Sequence, residues 1–136
     1  MSAEDEGRVF FDSNVALYLL AADAAKAERA EELLAAGGTI SVQVLNEFVA
    51  VARRKHAVPW RTIEDVLAAL RRVCAVEPLT IVVHDRALSL AKRFGFPIYD
   101  ATIVASALQA GCVTLYSEDF QHGQKLEGLT IRNPFR

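Results

Sequence analysis

Asp12, Glu47, Asp100 and Asp119 stand in four separate segments, each acid inside or at the end of an apolar element. Asp12 ends the run Arg8-Val9-Phe10-Phe11. Glu47 lies within the helical stretch Ser41 to Val51, and Asp100 opens the stretch that runs to Leu108. Asp119 falls in the turn Ser117-Glu118-Asp119-Phe120, directly after Val113-Thr114-Leu115-Tyr116. Carboxylates gathered in one pocket repel: at an effective dielectric of ~20, two charges ~5 Å apart cost roughly 3 kcal/mol. Such a pocket becomes tolerable when some groups take up a proton or a divalent cation sits among them. A cation held by acids, with water left on it, is the equipment of a phosphodiester hydrolase.

Each acid also has an ordinary reading. Asp12 or Ser13 can cap the helix that follows, Asp100 precedes an apolar helical run, and Asp119 suits a turn. Glu47 is harder to dismiss, because its same-face helical neighbours Val44 and Val51 are apolar. An ionisable group on an apolar stripe needs a partner, and a salt bridge to an arginine is the plain alternative. Four acids in these four contexts favour a shared site over four separate accidents. Asn14, two residues after Asp12, either caps the helix or orders a water at that site. Ser117 can support Asp119 from the same turn.

The elements that must position these groups alternate. Arg8 to Phe11 reads as a buried strand, followed by helix over Asn14 to Leu20. Asp23 to Ala36 is rich in Ala, Glu and Leu and favours a second helix, which Gly37-Gly38 ends. Thr39 to Ser41 reads as a strand between helices, and Val42 to Lys55 as the next helix. Thr62 to Val76 carries Ile63, Val66, Leu67 and Leu70 at helical spacing. The β-branched run Leu79 to Val83 predicts a strand, with helix from Asp85 to Phe94 after it. Helix resumes from Asp100 to Ala110. Strands are expected over Val113 to Tyr116 and Leu129 to Arg132. Short apolar strands alternating with helices indicate an α/β domain with a mostly parallel sheet of about five strands. In such sheets ligands bind beyond the strands' carboxyl ends, near a topological switch point.

With 136 residues, 52% of them hydrophobic, the chain is expected to be a single domain over 1–136, with 1–7 as an N-terminal extension. The net charge of −2 means that a nucleic-acid role requires a local basic face. Arg53, Arg54 and Lys55 at the end of the Glu47 helix are candidates for RNA contact; Arg71-Arg72, Lys92-Arg93 and Lys125 are others. Ordinary solvated charge is the competing reading for each cluster. Trp60, Tyr18 and Phe120 can stack on bases, although burial in the core is the expectation for each. Cys74 and Cys112 fit no metal or redox spacing and are expected to be buried free thiols. The acidic, polar N-terminus has no secretory pattern, and no apolar stretch approaches a membrane span. A cytoplasmic protein without membrane association is expected.

At the residues that carry the acids, the chain resembles a PIN domain of the VapC type. The matching segments are Phe10-Phe11-Asp12-Ser13-Asn14-Val15, Asn46-Glu47-Phe48, Ile98 to Val104, and Leu115-Tyr116-Ser117-Glu118-Asp119-Phe120, with Ile131 to Phe135 at the end. The resemblance implies a three-layer α/β/α fold and cleavage of RNA dependent on Mg²⁺ or Mn²⁺. For VapC-type members it also implies a toxin role, a cognate antitoxin and a homodimer. Asp12, Glu47 and Asp100 match the family's core acids, and Asp119 matches its more variable one. That last turn often carries Thr where Ser117 stands, and Ser keeps the hydroxyl. Asp12 and Asp100 are expected as metal ligands, Glu47 as the group that positions or deprotonates the attacking water, and Asp119 as part of the outer shell. Two rivals differ in class. A haloacid-dehalogenase-type phosphatase wants a second Asp where Asn14 stands. A PIN-like RNA-binding or RNA-processing module without toxin activity is the other.

Overall fold

Arg8–Phe11 forms strand β1, and its residues turn Phe10 and Phe11 to opposite faces, where both are buried. The structure, a computed structural model, describes residues 7–136; the expected extension over 1–7 lies outside the described residues except for Gly7. Helix α1 (Ser13–Leu17) follows at once and passes into a 3-10 turn, Tyr18–Leu20. Helix α2 (Ala24–Ala35) is capped by Asp23, whose carboxylate accepts from the amides of Ala25 and Lys26. Strand β2 (Gly38–Ser41) leads into helix α3 (Val42–His56), capped by Ser41. Helix α4 (Trp60–Val73), strand β3 (Cys74–Glu77), helix α5 (Ile81–Phe94) and helix α6 (Ile98–Gln109) come next. Strands β4 (Cys112–Tyr116), β5 (Lys125–Leu126) and β6 (Leu129–Arg132) close the chain.

The strands make one sheet of order β3-β2-β1-β4-β6-β5, parallel except for the short β5. Helices flank it, with α6 packed on β4 and β2, and α4 on β3. From β1 the chain moves outward to β2 and β3, and later returns to place β4 on the other side of β1. The β1/β4 boundary is therefore the switch point, and the loops after both strands open into the same crevice. Asp12 follows β1 there and Ser117 follows β4. The Asp12 amide donates to the Tyr116 carbonyl at 3.0 Å, so the crevice is stitched by backbone to its mouth.

Two expectations about the middle of the chain are corrected. Leu79 to Val83 is not a strand: Ile81–Phe94 is a single helix, whose amide at Val83 is accepted by the Thr80 hydroxyl at 3.2 Å. The strand is Cys74–Glu77 instead, where the preceding helix was expected to continue to Val76; it pairs in parallel with Gly38–Ser41. β-Branching favours strands only where a neighbour is available to pair. Here the pairing edge of β2 is taken by a less apolar segment, and Ile81 and Val82 stay exposed on the first turn of α5. The sheet also has six strands, since the two-residue β5 is too short to leave a pattern. Trp60, expected in the core, is 55% exposed, with the Arg53 guanidinium 4.7 Å from its ring centre. Cys74 and Cys112 are free and buried, as expected.

Gly38 in β2 lies tight against side chains of β1. A Cβ there would lie 2.5 Å from Cε2 of Phe11 and 2.8 Å from Cγ2 of Val9. Phe11 cannot yield easily, since it is buried and stacks on Tyr116, and the Val9 carbonyl oxygen, 3.1 Å from that Cβ, is backbone. Gly38→Ala is expected to destabilise by about 2 kcal/mol, the usual scale of overpacking. A urea midpoint unchanged from wild type would show that β1 adjusts freely. No described helix is long and apolar enough to cross a membrane.

Candidate active site

Asp12 is the centre of the crevice. It is only 3% exposed because it follows two buried phenylalanines and caps α1 from inside the fold. Its Oδ1 accepts from the Ser13 amide at 2.7 Å, and its Oδ2 accepts from the Ser117 hydroxyl at 2.8 Å. Burial pushes its carboxyl up to about 7; the Ser117 and Ser13 hydrogen bonds pull the other way, while the charges of Asp119 and Glu47 add to the rise.

Ser117 is fully buried and uses its hydroxyl completely. It donates to Asp12 and accepts from Asn14 Nδ2 and from the Asp119 amide, each at 3.1 Å. The second Asn14 Nδ2 proton goes to Asp119 Oδ2, also at 3.1 Å. Asn14 Oδ1 is buried with no hydrogen-bond partner. A buried carbonyl oxygen without a donor is a costly arrangement unless it has a ligand to serve.

Glu47 comes to the crevice from α3. Its Oε2 accepts from the Ser13 hydroxyl at 2.8 Å and its Oε1 from Gln43 Nε2 at 2.7 Å. The alternative reading as an arginine salt bridge is not borne out among the described residues, whose ion pairs are Arg61–Asp65 and Arg86–Glu127. Asp100 sits in the first turn of α6, where the helix dipole favours an acid. Among the described residues its carboxylate makes no side-chain hydrogen bond, and it joins the others through charge: burial, then Asp119 and Glu47, raise its pKa.

Asp12, Glu47 and Asp119 are thus tied together by Ser13, Ser117 and Asn14, and Asp100 faces them electrostatically. Among the described residues no three His, Cys, Asp or Glu groups close into a tight cage. The donor set is entirely hard oxygen, with an unpartnered amide oxygen beside it, and among the described residues no cationic side chain is ion-paired with it. That chemistry fits a hard divalent cation that keeps several waters, rather than one that demands nitrogen or sulfur.

A cleft of about 510 Å³ leads away from Glu47 along α3, lined by Gln43, Asn46, Arg54, Leu79 and Tyr99 among others. Arg54 lies on the Glu47 face because seven residues make nearly two helical turns. Arg53 is otherwise engaged, donating to the Val58 carbonyl at 2.9 Å and lying over Trp60. Lys55 is exposed. A larger cleft of about 810 Å³ runs past Val9, Phe11 and Arg132 and holds none of the four acids. Sequence reasoning missed Gln43 and the link that Ser13 makes to Glu47. The signal for Gln43 was available as an amide four residues before Glu47 on one helix face.

The PIN domain family matches residues 9–125, and the chain belongs to that family. Its fold is also that of VapC20 from Mycobacterium tuberculosis, a sarcin-ricin loop cleaving toxin, at 24% identity over 82% of this chain and 89% of that one, with a TM-score of 0.67. A toxin-antitoxin complex from Klebsiella pneumoniae is similar at 19% identity, covering 93% of this chain and 97% of that one, with a TM-score of 0.68. VapBC2 from Rickettsia felis, bound to a DNA fragment from its promoter, is similar at 16% identity, covering 92% and 97%, with a TM-score of 0.64. At these identities the likeness is one of fold. Among curated proteins no relative matches by sequence.

Proposed function

We propose that this chain is a metal-dependent endoribonuclease that hydrolyses RNA phosphodiester bonds and serves as the toxin of a VapBC-type pair. The observation that carries the reading is Asp12: a buried carboxylate with no cationic partner among the described residues, joined to Glu47 and Asp119 through neutral hydroxyl and amide groups at the sheet's switch point. The fold shared with VapC20, a sarcin-ricin loop cleaving toxin, supports RNA as the substrate class. Kinship of fold with a toxin-antitoxin complex and with VapBC2 supports a cognate antitoxin. A homodimer and a cytoplasmic location belong to the same proposal.

Asp12 and Asp100 are the residues that would hold Mg²⁺ or Mn²⁺, with Asn14 Oδ1, Glu47 and Asp119 completing its surroundings. When bound, such an ion polarises the scissile phosphate and makes water a better nucleophile. The remaining work falls to the chain. Ser13 orients the Glu47 carboxylate, which takes the proton of the attacking water. Ser117 keeps Asp12 in one rotamer, and Asn14 does the same for Asp119. Arg54, in the cleft beside Glu47, meets a backbone phosphate of the substrate without reading its sequence. Leu17, Leu19, Leu20 and Leu33 are only partly buried on the core, and this apolar remainder is the proposed contact for a protein partner.

Purified protein is expected to cut a mixed RNA pool in Mg²⁺ or Mn²⁺ and to stop in EDTA. Folded protein that binds the pool without cutting it under any of these conditions would favour a non-catalytic RNA-binding module.

A further inference from the structure

Gln43 lies four residues before Glu47 on the same face of α3, and it is only 7% exposed. Its side-chain nitrogen is 2.7 Å from Glu47 Oε1 and 2.9 Å from the Tyr99 carbonyl oxygen. Both neighbours can only accept, so the amide must present its two protons to them. The reversed amide would set an oxygen against a carboxylate and a carbonyl. Glu47 therefore has one neutral donor on each oxygen, Gln43 on Oε1 and Ser13 on Oε2. Two donors on separate oxygens immobilise a side chain that otherwise has several rotamers, and they leave its negative charge uncancelled.

The second Gln43 proton decides what Glu47 is oriented against. Tyr99 immediately precedes Asp100 in the first turn of α6. One amide thus connects the carboxylate carried by α3 to the backbone that carries Asp100. Charge alone cannot set that relation, since Glu47 and Asp100 repel each other.

We propose that Gln43 is a positioning residue of the acidic site, holding the Glu47 carboxylate in register with the Asp100 turn through its paired bonds to Glu47 Oε1 and the Tyr99 carbonyl. The inference rests on the nuclease reading above. Gln43 acts through Glu47, to which its amide is bonded.

The test compares wild type, Gln43→Met, Gln43→Glu, Glu47→Gln and the double variant Gln43→Met/Glu47→Gln. Methionine keeps the length and removes both donors; glutamate keeps the shape and turns the donor into an acceptor. Mn²⁺ affinity is measured by calorimetry without RNA, and kcat and KM are measured on a single RNA. Gln43→Met is expected to weaken Mn²⁺ binding and lower kcat by about 10- to 100-fold, the scale for groups that orient a ligand carboxylate. KM for RNA should change by less than ~3-fold, because substrate contacts remain. Gln43→Glu should fall at least as far, although it is isosteric. In the Glu47→Gln background the further loss should shrink to within ~3-fold, since the group being positioned has gone.

Wild-type Mn²⁺ affinity and kcat in Gln43→Met would overturn the proposal. So would an undiminished further loss in the double variant, which is the mark of a structural role. Should Gln43→Met be unfolded by circular dichroism, Gln43→Glu decides alone, and wild-type behaviour there overturns it. A wild type that neither binds Mn²⁺ nor cuts RNA removes the nuclease reading and this proposal together. A wild type that does both, beside a Gln43→Met that does both equally, removes this proposal only.

Discussion

Asp12→Asn and Asp100→Asn are each expected to lower RNA cleavage by roughly 1,000-fold or more, a barrier increase of about 4 kcal/mol, while leaving the protein folded. Each substitution removes a negative charge from the proposed ion site; at residue 12 it also replaces the oxygen that accepts from the Ser117 hydroxyl with an amide donor, so that one bond is lost with the charge. Asparagine caps helices about as well as aspartate, so the bond from the Ser13 amide can persist at residue 12. Asp100 makes no side-chain hydrogen bond among the described residues, and its replacement breaks none that holds α6 in place. Cleavage at the wild-type rate by either variant, with an unchanged circular dichroism spectrum, would remove that acid from the mechanism. Loss of cleavage together with loss of fold in Asp12→Asn would point instead to a structural role for Asp12 in the crevice.

The second large effect is on stability. With divalent ions removed, the folded protein is expected to lose stability as pH rises from about 4 to about 7. Asp12 is raised from 3.8 to about 7 in the folded state, so between those values the native chain holds a proton that the unfolded chain has released. Stability falls with pH wherever the folded state binds more protons. The effect is absent below the unfolded value and complete above the folded one. At roughly 1.4 kcal/mol per pH unit over this shift from 3.8 to about 7, it amounts to about 4 to 5 kcal/mol. Asp100 is shifted in the same direction and adds to it. Urea melts of wild type and Asp12→Asn in EDTA separate the Asp12 share from every other titration. The variant should gain on wild type steadily across this window and be the more stable protein at pH 8. Millimolar Mg²⁺ at pH 8 should then restore the wild type, since a ligand that binds only the folded state stabilises it by mass action. Parallel pH curves for the two proteins would show that Asp12 ionises in the fold without penalty.

The two effects share a cause. Packing Phe10 and Phe11 into the sheet carries the next residue into a desolvated crevice, where Asp119 and Glu47 also act on it. In an ordinary loop the same aspartate would be a plain helix cap. Here the fold holds negative charge that protons relieve at low pH and that a cation is proposed to relieve at working pH.

Much of this could be read along the chain. The order of the four acids, the strand before Asp12, the helix around Glu47 and the strand before Asp119 are local patterns of hydropathy and capping, and each element exists where expected. Asp100 was expected to open its helix and instead lies within the first turn, because Pro97 suits the helix start and the chain turns two residues earlier. What the chain could not disclose depends on neighbours distant in sequence. Cys74–Glu77 is a strand because β2 offers it an edge, whereas the more β-prone Ile81-Val82-Val83 finds no partner and winds into α5. Trp60 stays outside because Arg53, one turn before the helix end, covers its ring. Local order along the sequence determined which acids are present and which elements carry them. The tertiary structure alone decided that Ser13, Ser117, Asn14 and Gln43 tie them into one site and that Asp12 is buried deeply enough to hold its proton near neutral pH, because desolvation and hydrogen-bond geometry are properties of three-dimensional neighbours.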